Sequence, residues 1–224
     1  MKGKNFDVLP NFVQTKPSMN NSHVPKNKSY IWEFVMLVFL IFVLQLNYGV
    51  RLKLSSFNLT ILIVWIFIIW WISFKKEIAL EFNLRVIFVG ATVGLCLAAF
   101  GILFLNVDIL LGTFDKDTRL LELIIYTLQK SIAEEFVFRL ILVDYLKKIR
   151  ISVVSTIIIQ GLVFGLLHYF RYQHYIFGVL FAVIIGWLLG VLRVSQRNLL
   201  GAITAHSVIN AVYLFYWYRG FGFF

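Results

Sequence analysis

Long, uninterrupted apolar runs recur along this chain and are separated by short connectors. An apolar helix of about 20 residues is long enough to cross a hydrocarbon core of about 30 Å. Strands of a membrane barrel would alternate apolar and polar residues, whereas these runs are continuous. The composition agrees, because 60% of the residues are hydrophobic and only 14% are charged. The sequence therefore predicts an all-α polytopic membrane protein.

Seven transmembrane helices are predicted, and residues 30–224 are expected to form a single helical membrane domain. The fourth predicted helix is the least hydrophobic, because several charged residues interrupt it. Residues 1–29 form a polar, basic N-terminal tail that lacks the apolar core of a cleaved signal peptide. The predicted helices are Ile31–Leu46, Phe57–Phe74, Val86–Val107, Leu120–Leu146, Ile151–Phe170, Tyr175–Val194 and Leu199–Tyr218.

The net charge of +10 does not indicate nucleic-acid binding, because most basic residues lie in the connectors. Lysine and arginine in such connectors orient membrane helices, with the more basic side in the cytoplasm. An N-terminus inside the cell would give the inner side thirteen of the 21 basic residues and the outer side six. We therefore expect an integral multi-pass protein of a cell membrane with a cytoplasmic N-terminus. The composition resembles that of a bacterial protein, and the lipid bilayer is its predicted partner.

Paired glycines in two predicted helices indicate close helix packing. They occur as Gly161-x-x-x-Gly165 and Gly186-x-x-x-Gly190. Small residues at this spacing let membrane helices approach each other closely. These motifs are interpreted as packing features.

Charged residues cluster inside the fourth predicted helix, in the stretch Ser131–Leu140. Residues four apart share a helix face, so Glu135 and Arg139 are expected to pair, and adjacent Glu134 should point elsewhere. Glu134 would then be available as a general base, a role that suits a carboxylate in apolar surroundings. Lys130 is four residues before Glu134, however, so a purely structural ladder of ion pairs is an equal alternative.

Two other apolar helices each carry a histidine. His168 follows Phe164 by one turn near the end of the fifth predicted helix, and His206 and Asn210 share one face of the last. The His206–Asn210 pair could serve only to bond two helices together. Ionisable residues within a membrane nevertheless almost always face the bundle interior or a watery cavity.

Taken together, these residues indicate a polar site among the fourth, fifth and seventh helices. Such a site could serve transport or the hydrolysis of a peptide bond. In hydrolysis, Glu134 would take a proton from water with the help of His168, and His206 and Asn210 would stabilise the oxyanion. A rise of about 1.5 Å per residue places Glu134 about 20 Å and His206 about 12 Å from the same membrane side. The sequence alone therefore does not yield the common cavity.

The three motifs together resemble the CAAX protease and bacteriocin-processing (CPBP, or Abi) family of intramembrane proteases, including the type II CAAX prenyl endopeptidases. They are Glu134-Glu135-Phe-Val-Phe-Arg139, Phe164-Gly-Leu-Leu-His168 and His206-Ser-Val-Ile-Asn210, within a motif core of residues 131–210. Leu140 departs from the glycine that many members carry after the arginine.

The resemblance implies that Glu134 activates water, that His168 positions this water, and that His206 and Asn210 stabilise the oxyanion. Glu135, Arg139 and Phe164 would support the site. Members have been classed as metalloendopeptidases, and zinc on Glu134, His168 and His206 is possible by geometry. The sequence has no HExxH, so we expect a glutamic-type mechanism with no cofactor.

The expected function is an intramembrane endopeptidase acting on a peptide or membrane-protein substrate. The family includes enzymes that trim prenylated CAAX sequences and members associated with peptide maturation or bacteriocin self-immunity. One alternative is a non-enzymatic immunity or scaffold protein that binds a peptide or a partner helix. Another is a small transporter whose carboxylates couple to protons.

Overall fold

The structure is a computed structural model, which describes residues 28–49, 62–70, 73, 80–105, 120–172 and 175–222. The described residues are almost entirely helical and contain no strand. Most of the predicted N-terminal tail, residues 1–27, lies outside the described residues. Much of the second predicted helix also lies outside the described residues. The same holds for most residues of the connectors that follow the first three predicted helices.

The described helices follow the predicted order. The fourth predicted helix comprises three consecutive segments, which are α3, a π-helix and α4. Residues 62–70 are also helical. The helices are α1 (Lys28–Gly49), α2 (Leu84–Phe104), α3 (Leu120–Glu135), the π-helix (Phe136–Leu142), α4 (Val143–Lys148), α5 (Val153–Arg171), α6 (Ile176–Gln196) and α7 (Leu199–Gly222).

Within the described part of the chain, three helices are long and apolar enough to cross a membrane. They are Leu84–Phe104, Ile176–Gln196 and Leu199–Tyr216, and shorter apolar helices cover Ile31–Val43 and Val153–Tyr169. The charged fourth helix is not among them, as its sequence predicted. These helices support an integral membrane protein, and the number of seven crossings stays a prediction.

The outer surface of the helices is apolar, and the polar side chains are concentrated inside. Trp32, Phe88 and Leu103 are each at least 70% exposed, whereas Glu134 and Arg139 are fully buried. A soluble protein rarely exposes so many large apolar side chains. The arrangement suits a helical protein with lipid outside and a polar centre.

Close packing of α5 against α6 depends on small residues. The two helices run antiparallel, and a β-carbon added to Gly186 would lie 2.8 Å from the α-carbon of Gly161. Real β-carbons do not approach other carbons so closely, so a larger side chain would force the helices apart. The interpretation of these glycine motifs as packing features is confirmed.

The start of α7 is fixed by Asn198. Its Oδ1 accepts a hydrogen bond from the Leu200 amide at 2.9 Å, and its Nδ2 donates to the Glu81 carbonyl at 2.7 Å. An asparagine in this place satisfies an amide that the first turn of a helix leaves unpaired. The same side chain therefore caps α7 and ties it to the segment before α2. α7 packs against α2, α3 and α6, so its polar face is held beside the charged helix.

Candidate active site

The helix that carries the paired glutamates changes its winding at the site. α3 ends at Glu135, and the π-helix then covers Phe136–Leu142, all seven residues of which are buried. A π-helix forms i→i+5 hydrogen bonds and is frequent at functional sites. The α-helical spacing predicted from the sequence does not include this change of winding.

The predicted pair of Glu135 and Arg139 is confirmed. Arg139 Nη1 lies 3.1 Å from Glu135 Oε1, and both side chains are fully buried. The guanidinium carbon lies 4.4 Å from the ring centroid of Phe164, within the range of a cation–π interaction. Phe164 therefore supports the arginine from α5, as expected of a supporting residue.

His206 contacts both glutamates. Its Nδ1 lies 2.7 Å from Glu135 Oε1, and its Nε2 lies 3.6 Å from Glu134 Oε2. Because the carboxylate paired with Arg139 accepts hydrogen bonds, Nδ1 carries a proton and donates a hydrogen bond to Glu135. The prediction that Glu134 points away from Glu135 needs correction. One imidazole contacts both carboxylates, Glu135 through Nδ1 and Glu134 through Nε2.

Lys130 lies beside Glu134. Its Nζ is 3.7 Å from Glu134 Oε1, and the lysine is 7% exposed. The Lys130–Glu134 pair that the sequence left open as an alternative is therefore present. Two buried acids and two buried bases balance in formal charge, which reduces the cost of burying them.

Phe164 connects the two histidines. Its ring centroid lies 4.6 Å from that of His168 and 5.7 Å from that of His206. His168 is buried, and its Nδ1 lies 2.8 Å from the Phe164 carbonyl. Because that carbonyl can only accept, Nδ1 carries a proton, and Nε2 can accept a hydrogen bond when the ring carries no second proton.

Asn210 bonds α7 to α3. Its Nδ2 donates to Ser131 Oγ at 2.9 Å, and Ser131 Oγ donates to the Thr127 carbonyl at 2.8 Å. This is the helix-joining interaction that the sequence left open as an alternative for Asn210. The amide has two N–H groups, so one can still serve another acceptor. Ser131 was not among the predicted site residues, although it stands in the same charged stretch.

Gln160 is a further polar residue that the sequence reasoning did not select. It is fully buried on α5, and its Nε2 donates to the Gly186 carbonyl at 2.7 Å. Arg139 Nη2 donates to the same carbonyl at 3.4 Å. Its position one turn before Phe164 within an apolar helix is a signal that could have identified it.

The predicted residues are thus brought together to different degrees. Glu134, Glu135, Arg139 and His206 form one buried cluster, and His168 is connected to it through Phe164. A buried carboxylate beside an imidazole can exchange a proton with it or with a bound water. Asn210 is held one turn farther along α7.

No metal centre is evident in the described ranges. They contain no group of three or more histidine, cysteine, aspartate or glutamate side chains arranged to hold a metal ion. The absence of a zinc cofactor on Glu134, His168 and His206 stays a prediction.

Comparison with known families agrees with this geometry. Residues 116–212 match a family model described as type II CAAX prenyl endopeptidase Rce1-like. The matched segment contains all three motifs, from Glu134 to Asn210. No curated protein and no solved structure matches the chain. Residues 116–212 are therefore similar to the Rce1-like family of type II CAAX prenyl endopeptidases.

Proposed function

We propose that this protein is an intramembrane endopeptidase that hydrolyses a peptide or protein substrate at or within the bilayer. One observation carries the proposal: His206 on α7 contacts both Glu134 and Glu135 on α3 in a buried position. Ionisable residues at membrane depth are costly and are retained mainly for function. The similarity of residues 116–212 to the Rce1-like family model supports proteolysis of the CAAX type.

In the proposed reaction Glu134 is the general base. Its carboxylate takes a proton from a water molecule, and the oxygen of this water attacks the carbonyl carbon of the scissile peptide bond. The tetrahedral intermediate then collapses, the carbon–nitrogen bond breaks, and the Glu134 proton passes to the leaving amine. His168 would position the water, because its Nε2 can accept a hydrogen bond from it.

The proposed oxyanion donors are His206 and Asn210. His206 Nδ1–H is already engaged by Glu135, so donation to the oxyanion requires a proton on Nε2 as well. Glu135 stabilises such an imidazolium in the way that a buried aspartate stabilises the histidine of a serine-protease triad. Arg139 would hold the Glu135 side chain in place for this role through their ion pair.

A non-enzymatic immunity or scaffold function is the second candidate. Two observations favour it: the Lys130–Glu134 ion pair forms within α3, and the Asn210–Ser131 hydrogen bond joins α7 to α3, both without any substrate. A structural cluster of this kind would also be buried and charge-balanced. The two candidates predict different results when Glu134 loses its charge without a change of shape. Only the protease should lose its activity while the protein stays folded.

The test uses the full chain purified in lipid nanodiscs. Fluorescence-quenched peptides with a prenylated CAAX end, the same peptides without the prenyl group, and a membrane-anchored peptide library serve as substrates. We expect hydrolysis by the wild type and a rate about 10²–10⁴-fold lower in Glu134→Gln, the range for loss of a general base.

The matched control is Glu33→Gln. Glu33 pairs with Lys148 at 2.6 Å between α1 and α4, so this variant also neutralises one ion-paired glutamate. We expect it to retain activity within about threefold, as changes far from a reacting group usually do. Equal activity in wild type and Glu134→Gln would overturn the glutamate mechanism, and hydrolysis of no substrate would favour the scaffold function.

A further inference from the structure

A second hydrogen-bonding arrangement lies behind the charged cluster. Gln160 on α5 is fully buried, and its Nε2 donates to the Gly186 carbonyl of α6 at 2.7 Å. Arg139 Nη2, from the π-helix, donates to the same oxygen at 3.4 Å. This carbonyl lies inside α6, where it also accepts a backbone N–H from the next helical turn, so the two side chains share the oxygen with that hydrogen bond. Three helical elements therefore converge on one backbone atom.

The packing of α6 makes room for the amide. A β-carbon on Gly190 would overlap Gln160 Nε2, and a β-carbon on Gly186 would press against Gly161. Both glycines therefore permit the approach that puts the Gly186 carbonyl within reach of Gln160. Gly186 and Gly190 on α6 therefore permit the hydrogen bond from Gln160 as well as the close contact between α5 and α6.

Gln160 also carries an unfavourable feature. Its Oε1 is buried and has no hydrogen-bond partner among the described residues. An unsatisfied buried acceptor costs stability, and an apolar side chain of similar size would avoid this cost. Such local departures from the best packing are expected where a residue serves the function.

We propose that Gln160 is a positioning residue of the active site, acting through the Gly186 carbonyl on Arg139. The amide shares the carbonyl oxygen with one arm of the guanidinium and so limits where that arm can lie, and the other arm stays on Glu135. Glu135 in turn fixes His206, the imidazole that faces Glu134. A displacement of about 1 Å in such a chain can cost about 100-fold in rate. This inference rests on the proposed protease function.

The test is Gln160→Met, which keeps the length of the side chain and removes the amide. We expect kcat to fall about tenfold with KM unchanged within about twofold, the pattern of an interaction realised only in the transition state. Resistance to unfolding in mixed SDS micelles should stay at the wild-type level, because the unpaired Oε1 is removed together with the hydrogen bond. A purely structural role would instead lower that resistance, and the remaining activity would follow the folded fraction.

The matched control is Gln129→Met, which makes the same exchange at an exposed position of α3. It should leave kcat, KM and unfolding unchanged. In an Arg139→Lys background, Gln160→Met should cause no further loss of kcat if Gln160 acts through Arg139. Wild-type kcat in Gln160→Met, or full additivity with Arg139→Lys, would overturn the inference.

A readout that does not need activity separates this inference from the proposed function. The unfolding equilibrium constants of Gln160→Met, Arg139→Met and the double variant form a cycle. If the two donors are coupled through Gly186, the effect of the double variant on the unfolding equilibrium constant should differ by at least about threefold from the product of the two single effects. An effect equal to that product would overturn the inference. If the wild type hydrolyses no substrate, the protease proposal fails and this cycle still decides whether the coupling exists.

Discussion

His206 Nδ1 lies 2.7 Å from Glu135 Oε1, while Nε2 of the same ring faces Glu134 Oε2 at 3.6 Å. The contact joins residues 71 positions apart in the chain. It makes the imidazole of α7 a shared neighbour of two adjacent carboxylates on α3. Both the stability of the bundle and the rate of hydrolysis should depend on this arrangement.

Replacing His206 by alanine should lower both rate and stability. The variant leaves two buried carboxylates without the imidazole, and hydrogen bonds to charged groups contribute about 1.5–3 kcal/mol. We expect the free energy of unfolding to fall by about that amount and kcat to fall about 10²–10³-fold, as for loss of an oxyanion donor. Unfolding in mixed SDS micelles and peptide hydrolysis measure the two effects.

The neighbouring Ser207→Ala is the control for His206→Ala. Ser207 is half-buried on the same helix and is not one of the proposed catalytic residues. It should change the free energy of unfolding by less than about 0.5 kcal/mol, as substitutions away from special features usually do. Wild-type kcat in His206→Ala would contradict the assigned role.

Breaking the Glu135–Arg139 pair on one side should cost more than removing both partners. Arg139→Met leaves Glu135 buried without its guanidinium, and loss of one partner of a buried pair costs about 3–5 kcal/mol. The double variant Glu135→Gln/Arg139→Met removes both charges, so we expect it to recover much of this loss. The measurement is the free energy of unfolding of both single variants and the double variant. A double variant as unstable as the sum of the singles would show that the pair is not coupled.

Ser131→Ala and Asn210→Ala separate the two interpretations of Asn210. Both remove the interhelical hydrogen bond, which contributes about 0.6–1.7 kcal/mol in membrane proteins, so both should lower the free energy of unfolding similarly. Only Asn210→Ala should also reduce kcat, by about 10²-fold, if the amide donates to the oxyanion. Equal kcat values in the two variants would restrict Asn210 to joining the helices.

Hydrolysis should be independent of added metal. The proposed mechanism uses carboxylate and imidazole groups alone, so activity of the purified chain should be unchanged by a strong chelator. Elemental analysis of the active preparation should find less than one zinc ion per about ten chains, too little to support full activity at a zinc centre of defined stoichiometry. Loss of activity with the chelator and recovery on adding zinc would replace the glutamate mechanism by a metal one.

Enlarging Gly186 should loosen the contact between α5 and α6. The β-carbon of Gly186→Ala would lie 2.8 Å from the α-carbon of Gly161, so the helices must move apart. Overpacking of this kind costs about 1–3 kcal/mol. Val191→Ala, which shortens an exposed side chain on the same helix, is the control and should change the free energy of unfolding little. A Gly186→Ala variant as stable as the control would show that the close approach is not required.

Much of the helical arrangement could be predicted, because continuous apolar runs have few alternatives in a bilayer. The positions of α1, α2, α5, α6 and α7 agree with the predicted helices within a few residues. The pairing of Glu135 with Arg139 was also predictable, because i,i+4 spacing acts within one helix. The π-helix after Glu135 was not, because the residue pattern of Phe136–Leu142 fits either winding.

Local spacing could not decide which side chains from different helices meet. Helical rise alone puts Glu134 and His206 at depths that differ by about 8 Å, yet the two side chains are neighbours. Likewise, the sequence allowed Asn210 either a catalytic or a helix-joining contact, and its bond to Ser131 depends on how α7 packs against α3.

The sequence by itself determined an apolar helical chain with three polar motifs, because helix formation and membrane insertion depend on local composition and periodicity. Only the tertiary structure decided that one imidazole reaches both glutamates and that Gln160 and Arg139 share the Gly186 carbonyl. These contacts depend on the relative depth, tilt and rotation of separate helices. Such quantities arise from packing between surfaces distant in the chain, and no single stretch of sequence contains them.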